Sequence, residues 1–104
     1  MAEEVLFNIE TLLLPKRSQI IEIAEKHGAF NVRVFGSVAR GEATVESDVD
    51  FLIDYDRNHR TPWFPMGLIQ DLQALLDRDV DVATVEMLRE DRGREQVLAE
   101  AIKL

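Results

Sequence analysis

The chain contains no cysteine, which excludes disulfides and thiolate zinc sites and makes a reducing, cytoplasmic setting the natural expectation. No apolar run approaches the roughly 20 residues that a membrane span needs. Positive charge is missing from the start of the chain, where Glu3 and Glu4 stand, so residues 1–14 are not expected to be a signal peptide. Bases are scarce throughout: 12 Lys and Arg against 20 Asp and Glu give a formal net charge of −8. A stable nucleic-acid binder would show a basic face to offset phosphate repulsion. Residues 42–56 instead carry six acids (Glu42, Glu46, Asp48, Asp50, Asp54, Asp56) and no base. That balance argues against long nucleic acid and leaves a metal-bound nucleotide or a basic protein as the partner class.

What is present fits one folded domain over residues 1–104, because 46% hydrophobic and 31% charged residues are too apolar a mixture for disorder. Val5, Leu6, Ile9, Leu12 and Leu13 recur at helical spacing, predicting a helix over Glu3–Leu14 that Pro15 ends, so residues 1–15 read as a helical extension. A second helix is expected over Lys16–His27, with Ile20, Ile21, Ile23 and Ala24 as its apolar stripe and Gly28 as its stop. Val32–Phe35 alternates as a strand, and Asp48–Tyr55 as another. Met66–Leu76 is amphipathic and helical, with Leu68, Ile69, Leu72, Leu75 and Leu76 on one stripe. Val80–Ala83 makes a third strand, and Thr84 reads as the N-cap of a turn through Leu88. A last helix is expected over Arg94–Lys103, burying Val97, Leu98, Ala101 and Ile102. The sum is an α/β (α+β) fold: a small mixed sheet of at least three strands flanked by helices.

Chemistry concentrates between Gly36 and Asp54. The first strand runs into Gly36-Ser37, and a helix beginning near Val38 would leave backbone N–H groups free to meet an anion. Ten residues after Ser37 comes Asp48-Val49-Asp50, whose carboxylates project on one side of a strand roughly 6–7 Å apart, near enough to serve one metal cluster. Gly36 and Gly41 have P-loop spacing, but Glu42 and Ala43 replace the required Lys and Ser/Thr. Phe51-Leu52-Ile53 offers none of the oxygen ligands of an EF-hand, and Leu52 stands where the Asp-x-Asp phosphatases usually carry Thr.

The remaining pattern, Gly-Ser, ten residues, then Asp-x-Asp, resembles the polymerase-beta-type nucleotidyltransferase superfamily. The longer run Gly-Ser-x-Ala-Arg-Gly-Glu-Ala, followed by Ser-Asp-x-Asp-Phe-Leu-Ile, is similar to its minimal members, the MNT domains of MntA-like antitoxins in HEPN/MNT pairs. The likeness extends from about Lys16 to Leu104 and includes Val80-Asp81-Val82 with Thr84-x-Glu86-x-Leu88. It implies a palm-like nucleotidyltransferase fold and a catalytic triad of Asp48, Asp50 and Asp81, which would also ligate two Mg²⁺ ions (or Mn²⁺) gripping the attacking and leaving oxygens. The spacing of 81 − 50 = 31 residues leaves room for a helix and a return strand. Gly36, Ser37 and Arg40 would contact the triphosphate. The implied reaction is transfer of AMP from ATP to a tyrosine hydroxyl of a partner HEPN ribonuclease toxin, in a hetero-oligomer, with the acceptor surface supplied by that partner. Two other functions compete: neutralising the partner by binding alone, and nucleotidyl transfer to a small molecule or an RNA end.

Individual residues have plainer alternatives. Ser37 can be only a helix cap, and Arg40 can simply pair with Glu42 or Glu46. Asp79 competes with Asp81, since both face the same way. Asp54 reads as solvated, His27 as a helix-end residue and His59 as a loop residue. Trp63-Phe64 either caps the core or marks a partner surface.

Overall fold

The computed structural model describes residues 5–59, 61–88 and 92–104. Asn8 and Thr11 decide how the chain begins. The Asn8 side chain accepts from the Thr11 backbone N–H at 2.9 Å, and Thr11 Oγ1 accepts from the Asn8 N–H at 3.0 Å. This reciprocal capping box starts helix α1 at Ile9, and α1 covers only Ile9–Leu12. The expected helix over Glu3–Leu14 is therefore much shorter. Upstream of the cap, Phe7 is extended and exchanges backbone hydrogen bonds with Ala43. Of the five apolar residues at helical spacing Leu13 is buried, Ile9 and Leu12 are partly buried, and Val5 and Leu6 are exposed; a cap at Asn8 and a bridge at Phe7 override the longer helix. Leu13 is fully buried, with Phe7, Ile9 and Leu12 packed beside it. One side of residues 7–13 thus packs on the core while Asn8, Glu10 and Thr11 are exposed; Glu3 and Glu4 lie outside the described residues.

After a 3-10 turn at Leu14–Lys16, helix α2 (Arg17–Lys26) buries Ile20 and Ala24. Strand β1 (Ala29–Phe35) follows, longer than expected at its start because a bulge at Asn31, whose φ is 49°, lets the pairing resume beyond it. Helix α3 (Gly36–Arg40) is one short turn and a half, stopped by Gly41 in the left-handed conformation. Strand β2 (Val49–Tyr55), helix α4 (Met66–Leu76) and strand β3 (Val80–Ala83) then form a βαβ unit whose two strands are parallel. Helix α4 has the expected boundaries, and its buried residues are Leu68, Leu72 and Leu76.

The end of the chain differs from expectation. Helix α5 (Arg92–Glu100) stops at Glu100, and Ile102–Lys103 is strand β4, antiparallel to β1. Leu98 and Ile102, expected to be buried, are 41% and 47% exposed. The buried residue here is Leu104, whose N–H donates to Val32 O. The sheet is mixed, with order β3-β2-β1-β4. Alternation along β2 sends Val49, Phe51 and Ile53 into the main core with Val34, Ile20 and Leu68. Asp50, Leu52 and Asp54 share the opposite face. Among the described residues no helix is long and apolar enough to cross a membrane.

Candidate active site

Gly36 sits where β1 ends, with φ +76°, a conformation that side-chain-bearing residues rarely adopt. A Cβ at this position would overlap Asp50 Oδ2. Glycine is therefore needed twice, for the backbone turn and for the approach of a carboxylate to the main chain. The register explains the neighbours: Phe35 pairs with Asp50 across β1 and β2, and Asp50 pairs with Asp81 across β2 and β3. Asp81 is thus the cross-strand partner of Asp50, whereas Asp79 lies one residue before the strand and gives its carbonyl to the Val49 N–H. Asp48 is exposed just before β2, and Asp81 is also exposed.

Electrostatics couples the members of this group. The Asp50 carboxyl is pushed up to about 6, first by burial and then by the negative charges of Asp81 and Asp48, with Arg40 opposing and Glu100 adding to the rise. Four acids against the single opposing charge of Arg40 leave a net demand for a cation. Among the described residues no three acidic or histidine side chains close a cage around a metal ion. An open set of hard carboxylate oxygens fits a divalent cation that draws its remaining ligands from phosphates, which is how Mg²⁺ is usually held.

The anion side of the turn is already engaged. The Gly36 N–H donates to Glu100 Oε1, and Arg40 Nη1 donates to the same oxygen at 2.9 Å. Arg40 Nε also donates to Glu42 at 3.1 Å, the surface pairing anticipated for it. Ser37 lies one residue into α3 and makes no side-chain cap bond there. The structure therefore brings Gly36, Asp50 and Asp81 together, keeps Asp48 and Arg40 within electrostatic range of them, and places Ser37 on the same turn. Sequence reasoning missed Glu100, which is 64 residues from Gly36 and sits in an unremarkable helical pattern.

Other expectations resolve nearby. Asp54 is not simply solvated: Arg33 Nη2 donates to it at 3.0 Å and Asn31 Nδ2 at 2.9 Å. His27 is 5% exposed and lies 2.7 Å from both Thr61 Oγ1 and Asp71 Oδ2, tying the loop before α4 to α2 and α4. Phe64 packs on Tyr55 with ring centroids 5.0 Å apart, while Trp63 is 73% exposed. Thr84 occupies the N-cap position of its 3-10 turn without a side-chain cap bond.

The arrangement is a strand-turn-helix that sets Gly36 against Asp50, with Asp81 beside it on the adjacent parallel strand. The nucleotidyltransferase domain model matches residues 17–104, and the chain belongs to that family. It is 36% identical over 89 residues to the protein adenylyltransferase MntA of Thermococcus cleftensis, covering 86% of each chain. A Methanocaldococcus jannaschii protein, provisionally named a protein adenylyltransferase, is 50% identical over 69 residues, covering 61% of this chain and 63% of that one. Among solved structures, one provisionally assigned as a minimal nucleotidyltransferase superposes with a TM-score of 0.78 at 43% identity, covering 94% of this chain and 97% of the other. A toxin–antitoxin structure with AMP-PNP shares the fold, with a TM-score of 0.63 at 24% identity over 83% of this chain and 69% of that one.

Proposed function

We propose that this nucleotidyltransferase moves AMP from ATP to a tyrosine hydroxyl on a partner HEPN ribonuclease toxin and thereby acts as its antitoxin. The observation that carries the chemistry is the register that sets Asp81 beside Asp50 at the Gly36 turn. Support for the acceptor class comes from the relatives named protein adenylyltransferases, and the net charge of −8 suits a basic partner.

In this reading Asp48, Asp50 and Asp81 hold Mg²⁺, which supplies charge neutralisation at the triphosphate. The Gly36 backbone, Ser37 and Arg40 orient the phosphates. Asp81, on the exposed edge of the site, takes the proton of the acceptor hydroxyl. The hydroxyl oxygen then bonds to the α-phosphorus, the bond from that phosphorus to the bridging oxygen breaks, and its electron pair leaves with pyrophosphate. Asp50, half-buried against Gly36, fixes the position about which both events are arranged.

The decisive experiment incubates the protein with ATP, Mg²⁺ and the protein encoded beside it, then reads intact mass. The partner gains one or more AMP units with the wild type and none with the Asp48→Ala/Asp50→Ala double variant. If the double variant still neutralises the toxin fully, transfer is not the antitoxin mechanism. Independently, ATP with Mg²⁺ should raise the melting temperature, and Ser37→Ala should shrink that gain. No shift with any nucleotide would remove the nucleotide site altogether.

A further inference from the structure

A carboxylate from the far end of the chain occupies the turn proposed above to hold phosphate. Glu100, the last residue of α5, accepts from the Gly36 N–H and from Arg40 Nη1 through a single oxygen, Oε1. Its side chain is 16% exposed, whereas that of Arg40 is 45% exposed, so Glu100 is largely covered on the Gly36 side and reaches solvent on the Arg40 side. The placement is electrostatically awkward, because Glu100 adds its negative charge to a neighbourhood already shared by Asp50, Asp81 and Asp48. An acid moved toward other acids costs stability unless particular donors hold it. The two donors that hold it are an amide and a guanidinium, the pair that a phosphate oxygen would also take.

We infer that Glu100 is an internal anion that competes with nucleotide phosphate for the Gly36 amide and the Arg40 guanidinium, so that nucleotide binding requires Glu100 to leave the turn. The inference rests on the nucleotide reading of the site. Its physical basis is competition: the apparent affinity of a ligand falls by the fraction of molecules whose site is open. Removing the competitor's charge raises that fraction while leaving every proposed nucleotide contact in place. Glu100 therefore weakens ground-state binding and keeps the anion seat of the nucleotide-free protein filled.

The test compares wild type with Glu100→Gln, which keeps shape, and with Glu100→Asp, which keeps charge but shortens the reach. Two quantities are read on the full chain: the backbone amide chemical shift of Gly36 without nucleotide, and the dissociation constant of ATP with and without Mg²⁺. Expected are an upfield move of the Gly36 amide in Glu100→Gln and ATP binding tighter by roughly 3–30-fold, the effect of 0.6–2 kcal/mol. Glu100→Asp should fall between the two. If wild type binds ATP and Glu100→Gln binds it equally well, the competition is refuted while the nucleotide site stands. Weaker binding by Glu100→Gln overturns it too, because Glu100 would then be among the groups that hold the nucleotide-bound cation. If neither protein binds any nucleotide, both this inference and the reading beneath it fail.

Discussion

Gly36 and Asp50 show how one residue can be fixed by another's chemistry. The turn at φ +76° and the carboxylate against its Cα together forbid a side chain at Gly36. Gly36→Ala should therefore cost more than about 1 kcal/mol, through strain at positive φ, and should also displace Asp50. Chemical denaturation and the ATP-dependent thermal shift should fall together; a variant as stable as wild type would refute the overlap. Asp50 predicts the opposite balance. Burial beside Asp81 and Asp48 makes its charge unfavourable in the empty site, so Asp50→Asn should raise the melting temperature in metal-free buffer while abolishing transfer. The gain should be about 4–8 °C for each kcal/mol of relieved repulsion in a chain of this size. A fall in melting temperature would show that Asp50 is held by contacts rather than tolerated. The glycine turn and Asp50, which the structure sets against each other, could both be singled out in sequence because they lie within fifteen residues. Glu100 could not, because no local pattern marks an acid that will meet a backbone amide 64 positions away.

Elements were legible where one period ran long enough and the flanks agreed. Helix α4 has eleven residues, a continuous apolar stripe and the expected ends. The sequence periodicity failed where a short-range cap or a two-residue strand decided the outcome, as at Asn8 and at Ile102–Lys103. Strand β4 continues the helical spacing of Val97 and Leu98, so periodicity alone cannot end the helix before it. The structure shows what it gains by ending: Leu104 is buried, its N–H bonds Val32 O, and Arg17 Nε donates to Leu104 O at 2.7 Å. Deleting Ile102–Leu104 should thus destabilise the fold and also free α5, lowering the melting temperature and raising hydrogen exchange along β1. Unchanged exchange at Val34, the residue paired with Ile102, would count against the pairing. A second local device is the His27–Asp71 contact. The Asp71 carboxyl lies below its ordinary 3.8, chiefly through the His27 hydrogen bond and then through Lys26. A depressed carboxylate stabilises above its unfolded pKa and ceases to do so as pH falls through its lower folded value. The stability gap between wild type and Asp71→Asn should be fully open above about pH 4 and close as the acid is titrated further. A gap that is constant down to pH 2 would assign the loss to packing instead.

The whole molecule is acidic, and its acids are not evenly spread. Residues 42–56 place six of them along the loop and strand that lead into the site, while Asp48 and Asp81 face solvent beside it. The proposed macromolecular acceptor would bring its hydroxyl to this face and meet the field before it meets any contact. If the partner is basic, as proposed, encounter is steered by that field, and the association rate carries the signature. Screening shortens from about 10 Å at 0.1 M salt to about 3 Å at 1 M, so steering fades while short-range contacts persist. Measured by stopped flow with the isolated partner, the association rate should fall at least about tenfold between 0.05 and 0.5 M salt, with a much smaller change in dissociation. Glu46→Lys, outside the proposed metal and phosphate contacts, should lower the low-salt rate and flatten its salt dependence. A rate insensitive to salt would mean that the acidic face serves the cation and nucleotide alone, and that apolar contact guides the acceptor to the site.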